Sequence, residues 1–180
     1  MTIIAALHDP DRCETWIGSD TVMTRRGARL YCGPKWVQGE GWAIGIAGDW
    51  RTHNILAERR ASVLADVASP FDLAERLRAL LAQFDYDMKP PPSEATQHCA
   101  QDFLVATKDG VWSISSDFSV IDVAPFFADG SGCQFAQGAM RALYNAADFG
   151  PSDVLRAGLQ AAIDYDIGCG GDIWHRKLEA

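Results

Sequence analysis

Hydrophobic spacing in this 180-residue chain changes period in blocks, from strand-like to helix-like and back, twice over. That alternation constrains the fold more than any single motif. TIIAAL and TWIGSD read as two short strands joined by HDPDRC, whose Asp and Pro residues supply turn conformations, so an N-terminal hairpin is predicted. KWVQGEGWAIGIAG adds two more strands around a Gly-Glu-Gly turn. The second of these is continuously apolar and small, which marks a buried strand. From Asp49 to about Phe84 the spacing becomes three and four, through Ile55, Val63, Leu64 and Val67, then Leu73, Leu77, Leu80, Leu81 and Phe84. Ser69-Pro70 divides this stretch into two helices, because Ser69 suits an N-cap and Pro70 a first helical position. The two helices are expected to pack antiparallel.

DYDMKPPPSEATQHC has no usable period and reads as a connecting loop. QDFLVATKDGVWSISSDFSVIDVAPFFADGSG then predicts three or four strands, with a hairpin turn at Asp109-Gly110 and reversals near Ser116-Asp117 and Pro125. Helical spacing returns at Phe135, Ala136, Ala139, Met140, Leu143 and Tyr144. After a Gly150-Pro151 break it runs through Val154, Leu155, Leu159, Ala162 and Ile163. CGGDIW closes the pattern as a last short strand. Segregated blocks of strands and helices predict a layered α+β domain, sheets inside and helix pairs outside.

Composition narrows the function. With 48% hydrophobic residues the chain can build one sizeable core, so residues 1–180 are expected to form a single domain. Sixteen basic residues against 24 acidic ones give a net charge of −8, which disfavours nucleic acid and anionic membranes as partners. The first residues lack the basic region and apolar stretch of a secretory signal, and no apolar run reaches the roughly 18–20 residues of a membrane span, so the cytoplasm is the expected location. Five scattered cysteines without a CxxC pair suggest reduced, mostly buried thiols. His8, His53, His98 and His175 fit no zinc spacing and read as turn or surface histidines. GIAGD lacks both GxGxxG and GK[ST], so no cofactor is expected.

One residue near the start stands apart. If Met1 is removed, Thr2 carries a hydroxyl and a free α-amine, and an amine with a pKa of roughly 7.7–8 can act as base toward its own hydroxyl. Such chemistry also needs a cation to favour deprotonation, a carboxylate to orient the cation, and backbone N–H donors for an oxyanion. Asp20 ends the second strand, Lys35 opens the third, and Gly45 offers a backbone that substrate can approach closely.

With these residues in this order, the chain resembles the proteasome β-subunit family, including bacterial proteasome-like peptidases, of the N-terminal-nucleophile hydrolase superfamily. MTIIAAL resembles the family's opening strand, GSDTVMT its Asp-x-x-x-Thr element, the Lys of GPKW its active-site lysine, and AIGIAGD its substrate-facing glycine segment. DGSGCQFAQGAM resembles its Gly-Ser-Gly and following helix, and DYDIGCGGDIW its Asp-x-x-Ser-Gly-Gly element. The resemblance implies a four-layer αββα sandwich and a threonine-type peptidase acting on peptide or protein substrates. Thr2 would be the nucleophile, Asp20 and Lys35 the charged pair, and the Gly45 amide an oxyanion donor. Thr24 would bind peptide backbone, and Ser131 and Asp166 would belong to the network around the Thr2 amine. Cys169 stands where the family more often has Ser, and a thiol is the weaker hydrogen-bonding group. Many relatives begin Thr-Thr-Ile, so a second register, with Met1 in the nucleophile's slot, stays open. The resemblance also implies a homo-oligomer, in the family a ring, and leaves room for an ATP-dependent unfoldase as partner. Two other readings keep the fold: hydrolysis of small acyl amides, or a catalytically inactive assembly subunit.

Overall fold

Why the first strand is apolar throughout is answered by its place in the molecule. A computed structural model describes residues 2–25, 27–84 and 102–179. β1 (Ile3–Asp9) pairs antiparallel with β2 (Glu14–Asp20) in the predicted hairpin. At the turn, the Asp9 carboxylate accepts the N–H groups of Asp11 (3.0 Å) and Arg12 (3.1 Å), a local bond that competes well with continued strand. On its other edge β1 pairs with β10 (Phe126–Gly130), and β2 pairs with β11 (Ile173–Lys177). This gives a four-stranded sheet in the order β10-β1-β2-β11. Successive side chains of β1 point to opposite faces. Ile3, Ala5 and Leu7 pack beneath α3 (Cys133–Leu143) and α4 (Pro151–Tyr165), while Ile4 and Ala6 face the second sheet. A strand covered on both sides has no polar face to show, which is why it reads as an unbroken apolar run.

The second sheet runs β5 (Trp36–Gln38), β6 (Trp42–Ala47), β7 (Asp102–Thr107), β8 (Gly110–Ile114) and β9 (Val120–Asp122), each antiparallel to its neighbours. Its inner face contributes Leu104, Ala106 and Val111 to the core shared with Ile4, Ala6 and Ile17. Its outer face presents Ile44, Ile46, Phe103, Val105 and Ile114 to α1 (Trp50–Val63) and α2 (Pro70–Ala82). Three apolar cores therefore separate four layers: helix pair, sheet, sheet, helix pair. Each fully buried Ile, Leu or Phe contributes roughly 1.5–3 kcal/mol of transfer free energy to this stack. Where the sheets approach most closely there is room only for Gly45, since a Cβ there would lie 2.6 Å from Ile4 Cγ2.

The predicted helix break is as expected: Ser69 caps α2 by accepting the Asp72 N–H (3.1 Å), and Pro70 is its first residue. The Asp109-Gly110 turn joins β7 to β8. Two features differ from expectation. A small hairpin of β3 (Val22–Arg25) and β4 (Ala28–Tyr31) follows β2, and all four β4 residues are exposed, so no burial periodicity announced it. The last strand starts at Ile173, leaving CGG as a loop that returns to the site. The loop reading of DYDMKPPPSEATQHC, with His98 and Cys99, falls outside the described residues, as does Met1. No described helix is long and apolar enough to cross a membrane. The four described cysteines are free, and Cys169 alone among them is buried.

Candidate active site

Strand ends deliver the charged centre. Asp20 closes β2, with 0% of its surface exposed, and Lys35 precedes β5, with 3% exposed. A carboxylate so deeply buried requires donors, and Asp20 has four. Its Oδ1 accepts from the Thr2 hydroxyl (3.2 Å), the Ile3 N–H (3.1 Å) and the Lys35 ammonium, and its Oδ2 accepts from the Gly170 N–H (3.0 Å). Lys35 Nζ also donates to the Val22 carbonyl at 2.5 Å. The Lys35 backbone is clamped at both ends, its N–H donating to Ser19 Oγ (3.2 Å) and its carbonyl accepting from Ile46 (3.0 Å). Lysine and hydroxyl are thus held on one carboxylate oxygen, with little freedom to separate.

Thr2 is fixed from its other side by β10. The Ser131 hydroxyl donates to the Thr2 carbonyl at 3.4 Å. Gly130 passes so close that a Cβ would lie 2.2 Å from the Thr2 carbonyl oxygen, and its φ of +104° also calls for glycine. Cys169 Sγ lies 3.9 Å from Ser131 Oγ. Burial, reinforced by the Asp20 and Asp166 charges, pushes this thiol up to about 12, so it stays protonated at neutral pH. Thr2, Lys35 and Ser131 open onto a cleft of about 1130 Å³. Thr24 of β3 forms part of its wall.

Two expected site residues lie elsewhere. Gly45 is inside the second sheet, opposite Trp36 on one side and Leu104 on the other. Because the Ile46 N–H points to Lys35 on the β5 side, the alternation of an antiparallel ladder turns the Gly45 N–H toward β7, away from the cleft. Of the two glycines in this segment it is Gly48, three residues on with φ +155° and directly before the Asp49 N-cap of α1, that lines the cleft. The sequence reading names Gly45; the end of β6 places Gly48 at the cleft instead. Asp166 caps the end of α4 and accepts the Gly168 N–H (2.7 Å), while its carbonyl accepts from Cys169 (3.0 Å). It reaches the centre through the loop that carries Cys169 and Gly170 rather than by touching Thr2.

Three further features carried no sequence signal. Asp102, at the start of β7, and Asp129, next to Gly130, line the same cleft from different sheets. Burial, opposed by the N–H it accepts from Gly130 and reinforced by the Asp102 charge, pushes the Asp129 carboxyl up to about 6. His53 is not a surface residue: it stacks on Trp50 at 4.4 Å, and both ring nitrogens are buried without a hydrogen bond in good geometry among the described residues. Burial lowers its pKa below the ordinary histidine value, opposed by the nearby backbone of Pro34 and Trp36 and by the Asn54 side chain.

Two antiparallel sheets layered between two helix pairs form a proteasome-like fold, with Thr2 at the head of β1 beside the buried Lys35–Asp20 pair. The chain aligns with BPH of Thiobacillus denitrificans in complex with epoxomicin at a TM-score of 0.82 and 22% identity, covering 99% of this chain and 98% of that one. A second structure of BPH from the same organism aligns at 0.80, with the same identity and coverage. Eukaryotic HslV from Trypanosoma brucei aligns at 0.73 and 20% identity, over 99% of this chain and all of the other. No family model matches the sequence, and no curated protein matches it. The fold expected from the sequence resemblance is the fold found.

Proposed function

We propose that this chain is a threonine-type peptidase whose nucleophile is Thr2, exposed by removal of Met1. The observation that carries the reading is the shared Asp20 oxygen, which holds the Thr2 hydroxyl and the Lys35 ammonium together. It also favours the register with Thr2, rather than Met1, in the nucleophile's slot. The adjacent ammonium stabilises the alkoxide form of Thr2, and Asp20 orients it. Thr2 Oγ attacks the peptide carbonyl while its proton passes to the α-amine. The tetrahedral oxyanion is met by backbone donors at Gly48, in place of Gly45. The protonated amine then delivers its proton to the leaving nitrogen, and the C–N bond breaks to leave an ester on Thr2. Water, deprotonated by the same amine, hydrolyses the ester and restores the hydroxyl. Ser131 and Thr24 position the Thr2 backbone and the substrate chain. Asp166 positions the loop whose Gly170 N–H completes Asp20's set, and Cys169 fills the space beside Ser131.

A homo-oligomeric assembly, served by an ATP-dependent unfoldase as partner, belongs to the same proposal. It is supported by the exposed Tyr31, Tyr165 and Ile167, which cluster where Arg29 donates to the Ile167 carbonyl at 2.6 Å. The neighbour bound to epoxomicin suggests the decisive reagent. Protein isolated from cells should have a mass lacking one methionine and should take up one epoxyketone per chain at Thr2. Thr2→Ala should abolish both labelling and peptide cleavage. Retention of Met1 with no labelling would overturn the proposal.

A further inference from the structure

We propose that the cleft selects a substrate bearing a cationic, lysine- or arginine-like side chain next to the scissile bond, with Asp129, supported by Asp102, as the residue that reads it. This rests on the peptidase reading above and specifies its substrate class.

Asp129 stands opposite Ile4 in the β10–β1 ladder. Opposed residues share a face, and Ile4 faces the second sheet, so Asp129 points between the sheets one residue before Gly130, whose backbone abuts Thr2. Asp102 comes from the facing sheet, paired with Ala47 of the cleft wall. Two carboxylates from separate sheets therefore converge on the space beside the nucleophile. Among the described residues no lysine, arginine or histidine lies within ion-pair distance of either one. Lys35, the buried cation among the described residues, is committed to Asp20 and Val22. Asp102 spends one oxygen on the Ser116 N–H (3.1 Å), and Asp129 one on the Gly130 N–H (2.6 Å).

Folding gains nothing from this arrangement. Burial and the neighbouring Asp102 charge both work against ionised Asp129, and a neutral side chain of similar size would suit the position better. A cation entering the cleft reverses the balance, because it meets two carboxylates in a partly desolvated space. The same cleft offers Met23 and Trp50 as apolar surface for an aliphatic stem, so a long side chain with a charged end fits both demands. A glutamate at that position would be repelled.

The test compares peptides that differ only in arginine or its neutral isostere citrulline at the residue preceding the scissile bond, using the assembled protein. Two readouts are taken: cleavage by the wild type, and calorimetric binding to Thr2→Ala, which does not depend on catalysis. The expected result is at least a tenfold preference for arginine in both, falling to near unity in Asp129→Asn and diminished in Asp102→Asn. Equal treatment of the two peptides by wild type, or an unchanged ratio in Asp129→Asn, overturns the proposal. Loss of cleavage with a retained binding preference would instead refute the peptidase reading and support the cationic site.

Discussion

Replacing Asp129 by Asn should stabilise the protein at neutral pH and leave it unchanged in acid. In the unfolded chain this carboxyl titrates near its ordinary 3.8, and in the folded chain at about 6. Below about pH 4 it is protonated in both states and imposes no penalty. As pH rises, the unfolded state ionises first and is favoured, until the folded state has ionised as well above about pH 6. At about 1.4 kcal/mol for each tenfold difference in acidity, the wild type therefore loses about 3 kcal/mol across that window and does not regain it. Asn cannot ionise and keeps an oxygen for the Gly130 N–H, so the variant avoids the loss. The groups around the site are Asp102 on β7, Asp49 and Arg51 at the start of α1, and the Asp20-bound Lys35. Of these, the Asp102 charge adds to the penalty. For a chain of this size the difference corresponds to about 6–12 °C in Tm. Thermal unfolding of both proteins from pH 4 to 8, at one fixed protein concentration, measures it. A Tm difference that does not change with pH, or an Asn variant less stable at pH 7, would refute the reasoning. A positive result would also show that the carboxylate is kept at a cost to stability, as expected of a residue that serves binding.

Lys35→Met should remove activity and, by leaving the Asp20 carboxylate buried without its cation, destabilise the fold by about 3–5 kcal/mol in urea unfolding. Gly45→Ala should be destabilising by about 1–3 kcal/mol, since its methyl meets Ile4 at 2.6 Å and the sheets must part. Its labelling by an epoxyketone should survive, whereas an oxyanion role for Gly45 requires labelling to be lost. His53 is held neutral by burial, so the unfolded state takes up its proton first and stability falls as pH drops through about 6.5. His53→Phe should flatten that acid limb in unfolding curves measured from pH 8 to 5.

How far the amino-acid order alone reached depends on what periodicity can report. It registers which faces are covered, so it resolved the four helices, the apolar β1 and β6, and the Ser69-Pro70 break, each with a local physical cause. It is silent where neither face is buried, which is why the β3–β4 hairpin, with exposed Ala28–Tyr31, went unread. Thr2, Asp20 and Lys35 were legible because each sits at the head or end of a strand whose pattern is strong, and strand ends of one sheet and its neighbour meet at one edge. Gly45 is the glycine named from the sequence, and only the ladder shows that its N–H is turned toward β7, leaving Gly48 at the cleft. Asp166 has the spacing of the resemblance, but among the described residues its bonds beyond α4 reach only the loop that carries Cys169 and Gly170. Asp102 and Asp129 are ordinary strand residues in the sequence, 27 positions apart by their numbers. Only the packing of one sheet on the other brings them to the same cleft, because the distance between sheets is decided by side-chain volume across the core and leaves no trace along the chain.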